Sequence, residues 1–189
     1  ISCSLVGSEM CIRDRYDSNG ILYNVRYTLT DGGTEYSYYY THNSRGDIVG
    51  IYNGAGELKA HYEYDAWGNV ISITDNNGNA ITSPNHIGNL NPFRYRGYYQ
   101  DTETGLYYLM SRYYDPITHR FINADGYFQA GTSILDGNTF VYCANNPIYS
   151  SDPTGSSVIF GALIGGLLSF LAKLYLVKVL MKLIGAQFL

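Results

Sequence analysis

The stretches YDSNGIL, residues 16–22, and YDAWGNV, residues 64–70, define a unit that recurs along this chain. In both, Tyr-Asp is followed after two residues by Gly and then by an apolar run, and a diverged copy, YDPITHRF, lies at 114–121. Aspartate can cap a tight turn, and glycine accepts the positive φ that such turns require. Because a single hairpin is barely stable in water, the recurring unit predicts hairpins that stack into a larger sheet.

Short runs rich in Tyr, Val, Ile and Thr alternate with Gly/Asn/Asp clusters from Tyr16 onward, a pattern typical of strands joined by tight turns. The predicted strands lie in ILYNVRYTL, EYSYYYT, IVGIY, ELKAHYEY and VISIT. We therefore predict a mainly β fold built as a meander of antiparallel hairpins.

Charge and ligand spacing exclude several classes of function. Residues 1–155 carry all 16 acids against nine Lys and Arg, and this excess of negative charge argues against nucleic-acid binding. No metal site or cofactor is predicted, because the cysteines and histidines lack ligand spacing. These residues are Cys3, Cys11, Cys143, His42, His61, His86 and His119.

The repeat unit resembles the YD repeats of RHS proteins. The stretch NPFRYRGYYQDTETGLYYLMSRYYDP at 91–116, continuing through RFINADG and FVYCANNPIYSSDPTG to Gly155, resembles the RHS repeat-associated core domain in a form familiar from Firmicutes. The resemblance implies a β-sheet shell, wound from many YD hairpins, that encloses a C-terminal effector or toxin. In several such proteins the core domain closes the shell and cuts the chain just after a DPxG motif.

We divide the chain into four segments on these patterns. Residues 1–15 contain SCSLVGSEMCIRDR, which resembles translated sequencing-adapter DNA, and we interpret them as non-native and the true N-terminus as missing. Residues 16–90 are assigned to YD-repeat hairpins and 91–155 to the core domain. Residues 156–189 are assigned to a hydrophobic helical tail or the start of a truncated effector.

The resemblance also implies a site. Aspartic proteolysis needs two close carboxylates, one of which polarises the scissile carbonyl while the other activates water. Asp125 occupies the first acid of the family's DPxG pair, and Asp136 fits a second acid that precedes the Asn-aromatic strand. The second DPxG, Asp152-Pro153-Thr154-Gly155, marks the cleavage region, and the predicted scissile bond lies just after it.

Four positions depart from the family's pattern. Ala124 stands where an Arg often precedes the first acid, so an orienting charge is missing. In addition, Gly126 replaces the usual Pro, His119 replaces a Gly, and Ser156 replaces an apolar residue. An alternative interpretation of all three acids is that they only form turns, since Asp-Gly and Asp-Pro are turn sequences. Whether the chain is an autoproteolytic enzyme is therefore left open.

The tail SSVIFGALIGGLLSFLA, residues 156–172, is a charge-free run near the lower length limit for a bilayer-spanning helix. Gly161 and Gly165 form a GxxxG motif that allows close helix packing. Residues 158–189 are thus predicted to associate with a membrane; the alternatives are a helix enclosed by the shell and the opening of an effector.

Two functions remain. The first is an encapsulation and delivery module whose partners are its own C-terminal effector and an upstream YD-repeat shell. The second is a non-enzymatic cell-surface or carbohydrate-binding module anchored by its C-terminal helix, which would use the dense tyrosines as a binding face instead of a shell wall. Either function predicts a secreted, cell-surface or membrane-associated bacterial protein.

Overall fold

A computed structural model describes residues 3–5, 11–28, 33–126, 138–156 and 158–160. The predicted second acid, Asp136, and residues 161–189 of the predicted helical tail lie outside the described residues. At the start of that tail the helix prediction is wrong, because Ile159–Phe160 form a strand that pairs with Ser150–Ser151. Over the described ranges, no helix has the length and apolar character needed to cross a membrane.

The first part of the chain forms a seven-stranded antiparallel sheet in which each strand pairs with the next along the sequence. Its strands are β1 (Cys3–Leu5), β2 (Cys11–Tyr16), β3 (Leu22–Thr28), β4 (Glu35–His42), β5 (Ile48–Asn53), β6 (Leu58–Tyr64) and β7 (Val70–Thr74). The predicted meander of antiparallel hairpins is confirmed, and all five predicted strands lie within it.

The segment that we set aside as non-native contributes the first two strands of this sheet. Strand β2 pairs with β3 through a register that runs from Cys11 opposite Thr28 to Tyr16 opposite Leu22. Backbone ladders place few demands on side chains, so a segment without the repeat pattern can still extend a sheet edge. Its non-native origin stays a prediction.

One turn geometry recurs between the strands of this sheet. At Asp17, the side-chain Oδ1 accepts the backbone N–H of Asn19 at 2.8 Å and of Ile21 at 2.9 Å, and Gly20 has φ +79°. The same pair of bonds and the same left-handed glycine occur in the turns that open at Asn43, Asn53, Asp65 and Asp75. Asparagine therefore serves as well as aspartate, because the turn uses only the side-chain oxygen.

These bonds make the acidic turns sensitive to pH. Backbone N–H donors hold the carboxyl pKa of Asp17 and of Asp75 below its ordinary value. Their contribution to stability is therefore present above the unfolded pKa of about 3.9 and is lost as pH falls through the lower folded pKa.

We predict that the double variant Asp17→Asn/Asp75→Asn loses less stability than the wild type between pH 5 and pH 2, because asparagine keeps the acceptor and does not titrate. Urea-denaturation midpoints of both proteins at the two pH values measure the difference. An equal decrease in both would contradict the assigned linkage.

The second part of the chain forms a four-stranded antiparallel sheet of order β11-β10-β9-β8, followed by a two-stranded hairpin. The strands are β8 (Tyr99–Gln100), β9 (Tyr107–Leu109), β10 (Arg112–Asp115), β11 (Arg120–Phe121), β12 (Ser150–Ser151) and β13 (Ile159–Phe160). A short helix, α1 (Ile87–Leu90), contacts β6 and β7, and 3₁₀ turns lie at Tyr95–Gly97 and Cys143–Asn145.

The two sheets have separate cores, and the YD turn at 64–70 joins them. Tyr64 packs against both cores, and the second core is built mainly from tyrosines. Three of these donate their hydroxyls to successive carbonyls of the turn: Tyr95 to Ala66 at 3.0 Å, Tyr114 to Trp67 at 2.8 Å and Tyr107 to Gly68 at 2.8 Å. The turn of the first sheet is thus inserted into the core of the second.

Gly68 lies at the point of this insertion where there is no space for a side chain. Its φ is +95°, and a Cβ built there would lie 2.6 Å from the ring of Tyr95, which is fully buried. Gly78 has φ +80° in the same kind of turn but faces open space.

We predict that Gly68→Ala destabilises the chain more than Gly78→Ala. Both pay for a left-handed alanine, about 1–2 kcal/mol, whereas only Gly68→Ala adds the overpacking cost of about 1–3 kcal/mol. Chemical denaturation gives the two free energies of unfolding, and equal values would show that the turn is not tightly held by Tyr95.

Candidate functional site

The DPTG turn, residues 152–155, follows β12 and is held from three sides. Asp152 is fully buried, and its Oδ1 accepts the backbone N–H of Ser156 at 3.1 Å, which closes the turn. Tyr98 donates its hydroxyl to the Asp152 carbonyl at 3.0 Å, and Ser111 donates to the Thr154 carbonyl at 2.7 Å. The predicted cleavage motif is therefore a docked turn.

Gly155 ends this turn where no side chain fits. It has φ +73°, and a Cβ would lie 2.5 Å from the carbonyl oxygen of Leu109. Its own carbonyl oxygen accepts a hydrogen bond from Nε of Arg112. Because Gly155 lies so close to the turn between β9 and β10, only glycine fits at this position. The same approach places the Gly155 carbonyl oxygen against the guanidinium of Arg112.

Arg112 is the centre of the candidate site. Its Nη2 lies 3.1 Å from Oδ2 of Asp125 and 3.5 Å from Oδ2 of Asp152, and Nη1 donates to the Thr139 carbonyl at 2.9 Å. The guanidinium carbon sits 3.6 Å from the ring centre of Phe121. Burial lowers the pKa of Arg112, and the charges of the two aspartates oppose that effect. Arginine stays charged in proteins, so the site holds a desolvated cation.

The two acids around Arg112 differ in exposure. The Asp125 side chain is 17% exposed, whereas that of Asp152 has no exposed surface. Asp125 lines a surface cavity of about 430 Å³ together with Arg112, Tyr113 and Ser156. Water can therefore reach Asp125, while Asp152 can act only on groups inside the protein.

A second buried arginine anchors the strand that leads into the DPTG turn. Arg96 donates to the carbonyls of Pro147 and Ser150, the latter at 3.2 Å. Its backbone N–H donates to Oδ1 of the buried Asp47 at 3.1 Å, in the turn between β4 and β5. The position of β12 is thus fixed by the repeat sheet.

The structure brings together part of the predicted site. Asp125, Asp152 and Gly155 meet at one guanidinium, while Pro153 and Thr154 form the exposed tip of the turn. Asp136 lies outside the described residues, so its place at the site stays a prediction.

Arg112 was missed by the sequence reasoning, which treated the absence of an arginine at position 124 as the loss of an orienting charge. The available signal is strand parity: Arg112 and the buried Tyr114 lie on the same face of β10. A buried arginine needs an anionic partner, so this position could have been paired with an acid from the sequence.

His119 and Cys143 are two further residues that the sequence analysis named. His119, which replaces a glycine of the family, adopts φ +63° and stacks on Trp67 with ring centres 4.1 Å apart. The left-handed conformation explains why glycine is usual there, and the indole of Trp67 packs against the His119 ring. Burial raises the pKa of the Cys143 thiol to about 12, which makes it a poor nucleophile.

No group of three or more His, Cys, Asp or Glu side chains is arranged to hold a metal ion in the part of the chain that the structure describes.

The first sheet consists of hairpins closed by one repeated Asx turn. The second sheet binds the DPTG turn of the same chain. These features define a hairpin-repeat protein with a second β-sheet module that binds its own chain. The model of the RHS Repeat family matches residues 42–80, and the chain belongs to the RHS family.

Two relatives are similar to the chain in sequence, and one solved structure has a similar fold. The tRNA3(Ser)-specific nuclease WapA of Bacillus spizizenii is 39% identical over 128 residues, which are 68% of this chain and 5% of that protein. The toxin protein Tse5 of Pseudomonas aeruginosa is 30% identical over 111 residues, 53% of this chain and 8% of that protein. The crystal structure of TcdB2-TccC3 matches with a TM-score of 0.61 at 23% identity, over 78% of this chain and 7% of that one. The chain thus spans a small fraction of each relative.

We predict that Arg112→Ala destabilises the protein because it leaves two aspartates, one of them fully buried, without the guanidinium charge. Breaking a buried ion pair costs about 3–5 kcal/mol. Thermal and urea unfolding of the variant measure the loss. Arg26→Ala, which removes a half-exposed pair with Glu35 at 2.8 Å, is the control and is expected to cost about 0–1 kcal/mol. Equal losses would show that the Arg112 pairs behave as surface pairs.

Proposed function

We propose that this chain is an encapsulation and delivery module of an RHS toxin-type protein and that it cuts itself just after Gly155. The observation that carries the proposal is the docked DPTG turn, whose last carbonyl is bound by the same arginine that pairs with Asp125. The motif, the acid and a carbonyl-polarising group are therefore in one place.

Encapsulation is supported by the sheet and by the relatives. A meander with a repeated turn can be extended by further hairpins, which is how a shell wall grows. The matched proteins are named for different activities, a tRNA nuclease and a toxin, and the matched segment is a small part of each. A shared module next to a variable effector accounts for both facts.

The partners of the module are then its own C-terminal effector and the upstream YD-repeat shell. Residues 158–189 are proposed to contact a membrane during delivery, and the whole protein is proposed to be secreted or displayed at the cell surface.

Self-cleavage hydrolyses the bond between the carbonyl carbon of Gly155 and the nitrogen of Ser156. Asp125 takes a proton from a water molecule whose oxygen bonds to that carbon. The C–N bond then breaks, and the proton held by Asp125 passes to the nitrogen of Ser156, giving a carboxyl group at Gly155 and an amine at Ser156. Asp136 is proposed as the second carboxyl. Because the substrate is tethered, effective molarity replaces an affinity pocket.

We predict that the protein expressed within its complete open reading frame splits after Gly155 and that Asp125→Asn stays intact. Loss of the proton acceptor removes general-base catalysis, worth about 10²–10⁴ in rate. Intact-mass spectrometry and N-terminal sequencing of the downstream piece identify the bond. The control is Asp101→Asn, which changes an exposed turn acid that accepts Glu103 N–H at 3.1 Å. A wild-type chain that stays whole after native folding would contradict self-cleavage.

A second candidate function, a carbohydrate-binding surface module anchored by its C-terminal segment, is favoured by a row of exposed aromatics. Tyr108 lies opposite Tyr99 on one neighbouring strand and opposite Tyr113 on the other. Each is 38–43% exposed, and the rings of Tyr108 and Tyr113 are 5.1 Å apart. Aromatic faces with a polar tip suit contact with sugars.

For this second function we predict that Tyr99→Ala/Tyr108→Ala loses binding on a glycan array. Tyr36→Ala/Tyr39→Ala, which removes tyrosines of similar exposure from β4, is expected to retain binding. Absence of glycan binding by the wild type would leave these tyrosines as part of the shell wall.

A further inference from the structure

We propose that a row of exposed apolar side chains on the second sheet is the docking site for the chain's own tail, residues 161–189. This tyrosine row consists of Tyr99, Tyr108, Tyr113 and Ile122. The inference rests on the proposed encapsulation function and names the surface by which the module holds the segment that leads into its effector.

The tyrosine row crosses the second sheet from one edge to the other. Tyr99 lies opposite Tyr108, and Tyr108 lies opposite Tyr113. The N–H of Ile122, directly after β11, donates to the Tyr113 carbonyl at 2.9 Å, which places Ile122 beside Tyr113. Because alternate residues of a strand point to opposite faces, the row lies on the face that is turned away from the second core.

The row is an apolar surface in contact with solvent. Its four members are 38–50% exposed, and Met110, in the turn between β9 and β10, is 70% exposed. The hydroxyl of Tyr108 donates to the Met110 carbonyl, so this methionine lies at the edge of the row. Contiguous exposed apolar surface marks a site of interaction, and methionine suits a surface that adapts to its partner.

The first argument for the tail as occupant is the path of the chain after the DPTG turn. Ser156 and Tyr113 line the same cavity of about 430 Å³. The described chain ends at Phe160, and the four residues that separate Phe160 from Ser156 cover at most about 14 Å. The tail therefore begins close to the row.

The second argument is length. Four neighbouring strands span about 15 Å, at about 4.8 Å from one strand to the next. Residues 161–189 would span about 43 Å even as a helix, at about 1.5 Å per residue. The tail can therefore cover the whole row, and its attachment to the same chain raises its effective concentration there.

The third argument is chemical complementarity. Residues 161–189 are mainly aliphatic and carry three lysines and no acid. Burial raises the pKa of the Tyr99 hydroxyl, and the negative charge of Asp101 adds to this effect, so a carboxylate lies near one end of the row. Aliphatic side chains can pack on the tyrosine rings, while lysines can contact the ring faces and this carboxylate. Docking removes apolar surface of both the row and the tail from water.

The first test is photocrosslinking in the 189-residue chain. The photoreactive amino acid p-benzoylphenylalanine replaces Tyr108 in one variant and Tyr39 in the matched control, because Tyr39 lies on β4 and is 44% exposed against 43% for Tyr108. After irradiation, peptide mass spectrometry is expected to find residues 161–189 linked to position 108 and not to position 39. A crosslink that forms only between two chains, seen as a covalent dimer, would overturn docking within one chain.

The second test is limited proteolysis with trypsin, which cuts after the lysines of the tail, Lys173, Lys178 and Lys182. Docking shields these sites, so Tyr108→Ala/Tyr113→Ala is expected to be cut at least about tenfold faster than the wild type, since loss of buried aromatic anchors usually weakens an interface by such a factor. Tyr36→Ala/Tyr39→Ala is the control and is expected to be cut at the wild-type rate. Circular dichroism verifies that each variant is folded.

The outcomes separate docking from encapsulation, which is measured as the resistance of the effector to protease within the complete protein. Absence of the tail crosslink at position 108, or equal trypsin rates for the wild type and Tyr108→Ala/Tyr113→Ala, overturns the inference and leaves encapsulation standing. Crosslinking of the tail to both positions overturns it as well, because contact then has no defined site. An effector that is digested in the folded complete protein overturns the proposed function, and the inference that rests on it.

Discussion

The fold depends on three hydrogen bonds between tyrosine hydroxyls and successive backbone carbonyls of one turn. The carbonyls of Ala66, Trp67 and Gly68 point into the second core, where unpaired backbone oxygens would each carry a desolvation penalty. Tyr95, Tyr107 and Tyr114 satisfy them from the other sheet. Tyrosine is suited to this because its ring fills a core while its hydroxyl reaches a polar atom.

The geometry of the candidate site depends on these tyrosine–carbonyl hydrogen bonds. Tyr107 and Tyr114 lie on β9 and β10, and the tight turn between those strands presents Ser111 and Arg112 to the DPTG segment. Asp47 and Arg96 make the second connection, from the repeat sheet to β12. The contacts that join the two sheets therefore also set the position of the Gly155 carbonyl.

Local pattern predicted β3 to β7 because each of these strands clusters apolar and aromatic residues between turn formers. The short strands β8 to β13 were not predicted one by one. The turns at Asn43 and Asn53 do not match the YD unit in sequence because they lack Tyr-Asp, although they share its geometry, which needs only a side-chain oxygen. The arginine at the site was missed for another reason. Strand parity indicates that Arg112 is buried and needs an acidic partner, but only the packed fold decides that Asp125 and Asp152 are the acids that meet it.

The hairpin of β12 and β13 changes what a cut after Gly155 would mean. Ser150 pairs with Phe160 and Ser151 with Ile159, so the bond lies in a loop between two strands that are hydrogen-bonded to each other. A broken bond there would be a nick and would not separate the two pieces. The upstream end would stay bound to Tyr98, Ser111 and Arg112, while the downstream end would be held by the short β12–β13 ladder and by the bond from the Ser156 N–H to Asp152. Departure of the downstream piece would therefore require these noncovalent bonds to break as well as the peptide bond.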